Sequence, residues 1–331
     1  MLQSRFLNRA GVRLAAAAVF GLAGAAAVSA ETKWDMPTPY GDSNFHTQNI
    51  AAFAEDIKEK TDGSLVIQVH SAGSLFKHPE IKNAVRKGLA PIGEVLVSRL
   101  SNEDAVFGVD SVPFLAPSYD KAWKLYQAAK PAMEEKLDAQ GLVLLYAVPW
   151  PPQGVYAKKE LSSVDDMKGL KFRAYNAATE RLAQLAGAVP TQVEVPDIPT
   201  AFSTGRVEAM ITSPSTGANS KAWDFLSHYH DTQAWLPKNM VFVNKGAFDG
   251  LSDAEKAAVM EAAAEAEKRG WEASKVETNG KTAILVENGI TVVEPSEQLI
   301  EGLAAIGETM SAEWQAEAGE TGAAILEAYK N

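Results

Sequence analysis

Apolar and polar positions along the chain follow two different periods. Stretches in which they alternate, such as 64–73 and 206–213, and a continuous apolar run at 142–150, are typical of β-strands. In other stretches apolar residues recur every three to four positions, as in 49–63, where Gly63 ends the pattern, and these predict helices. Because strands and helices alternate along the sequence, the chain predicts an α/β fold with parallel or mixed sheets covered on both faces.

The predicted elements repeat on either side of a double proline, Pro151-Pro152. Strands are expected at 33–40, 64–73, 90–98, 142–150, 154–159, 171–176, 189–195, 206–213 and 236–244, and helices or helical turns at 49–63, 78–90, 120–141, 164–170, 178–187 and 197–205. The double proline is predicted to mark a crossing between two domains, with a second crossing near 237–243. The predicted domains are 31–150 plus about 240–278, and 151–239 plus about 279–331.

The C-terminal third begins with a helix-start signal. Ser252 is followed three residues later by Glu255, the spacing of a capping box. About thirty residues of strong helix formers follow, far more than an ordinary globular helix contains. Two alternatives remain open at this point: one long helix lying across both domains, or two helices broken at Gly270 or Gly280.

The first thirty residues differ from the rest of the chain. Three arginines, Arg5, Arg9 and Arg13, precede an apolar run at 14–28, and the segment ends in small residues. This run is shorter than the roughly 20 residues of a membrane-spanning helix. We therefore predict a secretory signal peptide at 1–30, cleaved after Ala30, the alternative being an uncleaved membrane anchor. No later stretch is as apolar, so we expect a periplasmic protein without stable membrane insertion.

Composition narrows the possible functions. The 331 residues include 42 acidic and 31 basic side chains, and removal of residues 1–30 leaves a net charge of −14. Such a chain lacks the positive surface by which proteins bind nucleic acids. It has no cysteine, which excludes disulfides, thiolate metal sites and a cysteine nucleophile. Phosphate-loop, dinucleotide and serine-nucleophile motifs are also absent from the sequence, so neither a cofactor nor catalytic residues are expected.

The only histidine cluster is His228-Tyr229-His230-Asp231. Two histidines separated by one residue can share a metal ion when they lie on a strand, but the sequence indicates no third ligand. We therefore expect a polar surface loop here and no metal site.

Several segments together resemble the solute-binding proteins of TRAP transporters, the tripartite ATP-independent periplasmic carriers. The segments are DGSLVIQVHSAGSL (62–75), DSVPFL (110–115), DDMKGLKFRAYN (165–176), LAGAVPTQVEV (185–195) and DIPTAFSTGRVEAM (197–210). The resemblance covers essentially all of 31–331, and its most specific part is K-G-L-K-F-R followed by G-A-V-P-T. It implies a two-domain periplasmic binding protein fold, in which each domain is a mixed sheet flanked by helices, the ligand cleft lies between them and a long C-terminal helix spans both.

The resemblance further implies that Arg173 binds the carboxylate of the ligand. The residues themselves agree, because alternation in KFRAY puts Phe172 and Ala174 on one face of a strand and Arg173 on the other. Arg173, with Asn176 just after it, comes near the carboxyl end of that strand, where open α/β sheets bind ligands. Its planar guanidinium can bind a carboxylate through two parallel hydrogen bonds. The alternative is an exposed arginine on an edge strand.

Further candidates for contact with the ligand lie in or just after other predicted strands, or near the crossings. They are Tyr40, Asn44, His46, Glu94, Trp150, Thr212, Ser213 and Trp235. Aromatic side chains supply most of the buried area in small-molecule pockets, although a single tryptophan is more often part of the core. Trp150 is favoured because of its place at the crossing, whereas Glu94 has the alternative of a helix-capping or solvated carboxylate.

Two departures from the family pattern bear on the ligand. The segment 153–156, where many members carry a second cation, has an amide and a phenol but no arginine, which argues against a dicarboxylate or sialic acid. Ile211 and Thr212 stand where acidic and amide side chains are usual. These residues favour a small monocarboxylate with a compact body, such as an aromatic, hydroxy or oxo acid.

The resemblance implies a function and its partners. The protein captures a small organic acid between two domains that close by hinge rotation, and delivers it to the small and large membrane subunits of the permease. The alternatives are a binding protein for an ATP-driven importer or a sensor kinase, a periplasmic enzyme acting on a small acid, and a structural envelope protein.

Overall fold

Strands and helices alternate through residues 31–331, the part of the chain that the computed structural model describes and that forms one unit. The strands are β1 Thr32–Pro37, β2 Leu65–His70, β3 Ile92–Leu96, β4 Leu142–Pro149, β5 Gly154–Ala157, β6 Lys171–Ala174, β7 Val189–Gln192, β8 Ala209–Thr212, β9 His228–His230, β10 Lys238–Asn244 and β11 Thr291–Val293. The helices are α1 Phe45–Lys60, α2 His78–Arg86, α3 Tyr119–Asp138, α4 Ala177–Leu185, α5 Ile198–Ser203, α6 Pro214–Asn219, α7 Lys245–Asp249, α8 Asp253–Glu287 and α9 Glu297–Lys330.

The predicted signal peptide at 1–30 and its cleavage after Ala30 lie outside the described residues. Within 31–331, each helix is too short or too polar to cross a lipid bilayer.

The strands form three sheets. β1 and β2 make a parallel pair, and β3, β10 and β4 make an antiparallel sheet in that order. The largest sheet has the order β11-β9-β5-β8-β6-β7 and mixes parallel with antiparallel pairs. The prediction of an α/β fold with mixed sheets flanked by helices is confirmed. β6 is an interior strand of the large sheet, paired with β7 on one side and β8 on the other.

Two connecting segments join the three-stranded sheet to the six-stranded sheet. The chain leaves the first sheet at Pro149, the end of β4, and returns to it at Lys238, the start of β10. The segments run side by side, since Trp150 N donates to Pro237 O (2.8 Å) and Gln153 N donates to Trp235 O (3.0 Å). They coincide with the two predicted crossings, although the domain boundaries themselves stay a prediction.

The long helix α8 is continuous over 35 residues, so the alternative of two helices broken at Gly270 or Gly280 is wrong. The predicted capping box is present, because Ser252 Oγ accepts from Glu255 N and the Glu255 carboxylate accepts from Ser252 N. At 1.5 Å per residue the helix is about 50 Å long. Trp271 Nε1 donates to Ala147 O of β4 (3.0 Å), and Glu277 accepts from Ser215 of α6, which follows β8. The helix therefore lies across both larger sheets.

A second long helix, α9, follows β11 and was not foreseen in the sequence. Its first half packs Leu299, Leu303 and Ile306 into the core. Gly319 has a non-helical conformation that kinks the helix. In the second half, Trp314 Nε1 donates to Ala105 O (2.7 Å). α9 therefore contacts α3, beside the three-stranded sheet, and α4, beside the six-stranded sheet.

The histidine cluster is not a surface loop, which corrects the expectation above. His228–His230 forms β9, paired with β5, and His230 is fully buried. Its Nε2 accepts from Leu161 N (2.8 Å) and its Nδ1 donates to Val155 O (3.1 Å). Both ring nitrogens therefore hydrogen-bond to backbone groups and hold His230 in place within the core. The sequence pattern missed this because buried histidine and surface histidine look alike when their hydrogen-bond partners lie far away in the chain.

Two glycines of α8 provide a matched test of its packing. A Cβ on Gly270 would lie 2.3 Å from Val148 Cγ2 and 2.8 Å from Asn49 Nδ2, whereas one on Gly280 would meet no atom within 4 Å. We expect Gly270→Ala to lower the free energy of unfolding by about 1–3 kcal/mol through overpacking. Gly280→Ala should raise it by up to about 1 kcal/mol because alanine is the better helix former. Urea unfolding followed by circular dichroism measures both; equal stabilisation by the two substitutions would contradict the packing of α8 on β4.

Candidate ligand-binding site

A cavity with about 390 Å³ of empty space lies between the connecting segments and the ends of strands from both larger sheets. It is lined by Tyr40, His78, Leu96, Arg99, Trp150, Gln153, Arg173, Tyr175, Glu194, Val195, Thr212, Ser213, Thr216 and Pro237. β3 and the turn after it contribute Leu96 and Arg99, and the six-stranded sheet contributes Arg173 and Thr212.

Arg173 is a buried cation in this cavity. The alternation of β6 buries Phe172 in the core, and Arg173 itself is only 1% exposed. Its Nε donates to Val193 O (3.0 Å), and its guanidinium carbon lies 5.1 Å from the centre of the Tyr175 ring. Burial lowers the pKa of Arg173 to about 10, so the side chain stays protonated at neutral pH. Its burial on an interior strand overturns the alternative of an exposed arginine on an edge strand.

Among residues 31–331 no carboxylate forms an ion pair with Arg173, although the charge of Glu194 acts on it from farther away. No carboxylate in that part of the chain lies within 4 Å of its nitrogens, and none of its described hydrogen bonds involves an Nη atom. A buried charge is unfavourable unless it is paired and hydrogen-bonded. The site therefore suits an anionic group that binds the free end of the guanidinium.

A second group of charges, the Arg99–Glu194–His78 cluster, lines another part of the cavity. Arg99 Nη1 lies 2.9 Å from Glu194 Oε1 and also donates to Tyr175 O (3.0 Å). His78 Nδ1 lies 3.6 Å from Glu194 Oε2, and its Nε2 accepts from Leu96 N (3.1 Å). The cluster connects the six-stranded sheet to elements beside the three-stranded sheet.

The hydrogen bonds and burial fix the charges in this cluster. Burial lowers the pKa of His78, and because Nε2 accepts a hydrogen bond the proton is on Nδ1, facing Glu194. Burial by itself raises the pKa of Glu194, but the nearby His78 ring and the charges of Arg99 and Arg173 outweigh it and lower the pKa. Glu194 is therefore ionised at neutral pH and Arg99 is its counter-ion.

The rest of the wall carries no charge and combines apolar side chains, such as Leu96 and Val195, with neutral polar groups. At the end of β8, Ser213 caps α6 by accepting from Thr216 N (3.1 Å). Tyr175 donates its hydroxyl to Gln153 Oε1 (3.1 Å), and Gln153 Nε2 donates to Pro151 O (2.8 Å). Hydroxyl and amide groups of this kind hydrogen-bond neutral parts of a ligand.

Five of the ten predicted site residues line the cavity: Tyr40, Trp150, Arg173, Thr212 and Ser213. The structure places the other five, Asn44, His46, Glu94, Asn176 and Trp235, outside its lining. Asn44 and Asn176 cap α1 and α4 by accepting from His46 N (2.9 Å) and Thr179 N (2.8 Å). Asn176 Nδ2 also donates to Ser98 Oγ (2.7 Å), so its amide is already occupied. Trp235 is buried in the core beside the second connecting segment.

Glu94 and His46 belong to a buried polar network beside Tyr40 and Trp150. Glu94 accepts from Asn239 Nδ2 (2.8 Å) and from the Thr38 hydroxyl, and Trp150 Nε1 donates to Asn239 Oδ1 (2.8 Å). His46 Nδ1 lies 3.6 Å from the Glu94 carboxyl. Burial raises the pKa of Glu94 to about 7 and lowers that of His46. The alternative of a helix-capping or solvated Glu94 is wrong, since the residue lies in β3 and is 1% exposed.

The Arg99–Glu194–His78 cluster was not predicted from the sequence. Arg99 follows β3 and Glu194 follows β7, so the strand-end argument that selected Tyr40 and Thr212 also applied to them. What the sequence does not show is that these two strand ends, from different sheets, face each other. Among residues 31–331, no three histidine or acidic side chains are grouped closely enough to hold a metal ion.

Residues 39–318 match the family described as bacterial extracellular solute-binding protein, family 7. The chain belongs to this family. Among curated relatives of this family 7 protein, a solute-binding protein of Albidiferax ferrireducens is 24% identical over 268 residues, covering 78% of both chains. The resemblance to TRAP solute-binding proteins is thereby confirmed.

Two solved structures show higher sequence identity to this chain. DctP7, a Bordetella pertussis extracytoplasmic solute receptor binding pyroglutamic acid, is 47% identical, with a TM-score of 0.90 over 91% of this chain and all of that one. A TRAP solute-binding protein from a marine metagenome, specific for pyroglutamate, is 44% identical, with a TM-score of 0.89 over 91% of this chain and 99% of that one. The predicted periplasmic binding protein fold with its long C-terminal helix is confirmed.

Proposed function

We propose that this TRAP solute-binding protein captures pyroglutamate in the cavity around Arg173. The observation that carries the proposal is the buried, unpaired guanidinium of Arg173 in a cavity of about 390 Å³. The ligands of the Bordetella pertussis and marine relatives, at 44–47% identity, support the choice of acid. In this proposal the ligand carboxylate binds the free Nη atoms of Arg173 through two charge-assisted hydrogen bonds.

The chemistry of pyroglutamate complements the charges of the cavity. The molecule is a five-membered lactam with one carboxylate and no ammonium group, so it carries a single negative charge. Since Glu194 neutralises Arg99, the cavity offers one uncompensated positive charge, that of Arg173. The lactam N–H and C=O need neutral partners, and Gln153, Ser213 and Thr216 supply such groups.

Binding and delivery form the second part of the proposal. Because residues from both larger sheets line the cavity, the ligand contacts both parts of the protein and favours the closed arrangement through those contacts. Residues 1–30 direct export to the periplasm and are removed after Ala30, and the closed protein passes the acid to the TRAP permease subunits. The similar proteins are receptors and not enzymes, which supports binding without chemical conversion.

Thermal unfolding of refolded, ligand-free protein tests the proposal. L-pyroglutamate at about 100 times its dissociation constant adds roughly 2.7 kcal/mol to the free energy of unfolding, which raises the midpoint on the order of 5–10 °C. L-proline, which has the ring but a charged amine and no lactam carbonyl, is the control and should give little shift. Mass spectrometry should recover pyroglutamate unchanged. Absence of a shift with pyroglutamate, together with one for a different acid, would refute the choice of ligand.

A further inference from the structure

The cavity contains two arginines, and only one of them is available to a ligand. Arg173 has no acidic partner in the described part of the chain, whereas Arg99 is paired with Glu194 at 2.9 Å. Both guanidinium groups line the same cavity. A site with two free arginines would suit a dicarboxylate. Glu194 pairs with Arg99, so this site offers only one free arginine.

We propose that Glu194 is a specificity-determining residue that makes the cavity select monocarboxylates and reject dicarboxylates. This inference rests on the proposed function, because it assumes that an acid binds to Arg173. Glu194 acts by occupying Arg99, the cation that the second carboxylate of a dicarboxylate needs.

The position of Glu194 supports this role. It follows β7 of the six-stranded sheet, on the same sheet as Arg173, while Arg99 approaches from the turn after β3. Glu194 is fixed from two sides, since one carboxylate oxygen lies near Arg99 and the other faces His78. Its side chain is 30% exposed and that of Arg99 is 17% exposed, so the pair is sheltered from full screening by solvent.

His78 does not change the balance of charge. Its Nε2 accepts a hydrogen bond from Leu96 N, so the ring is neutral and donates from Nδ1 towards Glu194. The titratable groups lining the cavity therefore sum to one positive charge, with Arg99 and Glu194 cancelling. A monoanion bound to Arg173 completes neutrality, whereas a second carboxylate beside Arg99 would be repelled by Glu194.

Substitution of Glu194 by glutamine isolates the charge. Glutamine keeps the size of the side chain and one of the two acceptor oxygens, so it can accept from Arg99 or from His78, and it leaves Arg99 without a counter-ion. We expect Glu194→Gln to bind glutarate at least about tenfold more tightly than the wild type does, and its affinity ratio of pyroglutamate to glutarate to fall by at least the same factor. Isothermal titration calorimetry at constant ionic strength measures both acids.

Three further variants separate charge selection from a purely structural role. Glu194→Asp keeps the negative charge and should continue to reject glutarate. Glu194→Ala should gain glutarate binding as Glu194→Gln does, and it replaces that variant if glutamine impairs folding. The double variant Arg99→Gln with Glu194→Gln removes the freed cation and should show no gain. Thermal unfolding confirms that each protein is folded.

The outcomes distinguish this inference from the proposal on which it depends. If the wild type binds pyroglutamate but the affinity ratio is the same in Glu194→Gln and Glu194→Ala, charge selection by Glu194 is wrong while the proposed function stands. A gain of glutarate binding that persists in the double variant would likewise exclude Arg99 as the second anchor. If the wild type does not bind pyroglutamate, both proposals are overturned.

Discussion

Replacement of Arg173 by alanine is expected to weaken pyroglutamate binding by about 30- to several-thousand-fold, while the fold is retained. The range corresponds to about 2–5 kcal/mol, the usual effect of truncating one member of a buried, hydrogen-bonded charge pair. The reason is that among residues 31–331 the cavity holds no other cation without an acidic partner, and a net acidic surface does not attract an anion from a distance. Isothermal titration calorimetry with pyroglutamate measures the loss.

Two control variants accompany this experiment. Arg173→Lys keeps the charge but loses the planar fork and the hydrogen bond from Nε to Val193 O, so its affinity should fall between those of the wild type and the alanine variant. Arg206→Ala removes an exposed arginine that bonds only Gln192 O, and it should leave affinity unchanged.

The ligand-free protein gives a separate readout. Because Arg173→Ala removes an unpaired buried charge, the unfolding midpoint of the ligand-free variant should be equal to or higher than that of the wild type. Unchanged affinity for pyroglutamate in Arg173→Ala would show that the carboxylate is bound elsewhere.

Glu94 should make stability depend on pH. Burial raises the pKa of this carboxyl from about 4.5 to about 7 in the folded protein, so the folded state binds the proton more tightly than the unfolded state. The stabilisation is complete below about pH 4.5 and is lost as the pH rises through about 7. A shift of this size corresponds to a loss on the order of 3 kcal/mol across that interval.

The comparison with Glu94→Gln isolates this contribution. The free energy of unfolding of the wild type, measured with urea, should fall relative to that of Glu94→Gln between pH 5 and pH 8. His46 has a lowered pKa and gives the opposite dependence in acid, but both proteins share it, so the difference reports on Glu94. Glu59→Gln, at an exposed carboxylate on α1, should run parallel to the wild type. A constant difference between wild type and Glu94→Gln would show that Glu94 is ionised throughout.

The sequence predicted the elements of the fold well where one local period dominates. The alternation around Arg173 and the capping box at Ser252 each determine a local geometry, and both features are present in the structure. The apolar spacing of Leu299, Leu303 and Ile306 is also typical of a helix, and it corresponds to α9. This spacing is hard to recognise within a segment rich in alanine and glutamate.

The site was harder to predict because it depends on contacts between distant segments. The strand-end argument selects Asn44 and Asn176 as readily as Thr212, yet the first two turn their amide oxygens back to cap helices. Glu94 occupies a strand as expected, but its side chain points into a network with Asn239, 145 residues away. The packing of the sheets against each other decides which polar side chains face the cavity. A single sequence does not reveal that packing.

The length of α8 and its attachment points bear on how the protein can open. The helix is about 50 Å long; Ser64 donates to Glu255 in its first turn, and Ser215 donates to Glu277 ten residues before its end. If the protein opens to admit the proposed acid, we expect a rotation about an axis near α8, with the backbone change at 149–153 and 235–238, where the chain passes between the two larger sheets. We expect such a rotation to widen the entrance of the cavity while the side of the molecule at α8 stays closed, so that the proposed acid enters and leaves by the same route.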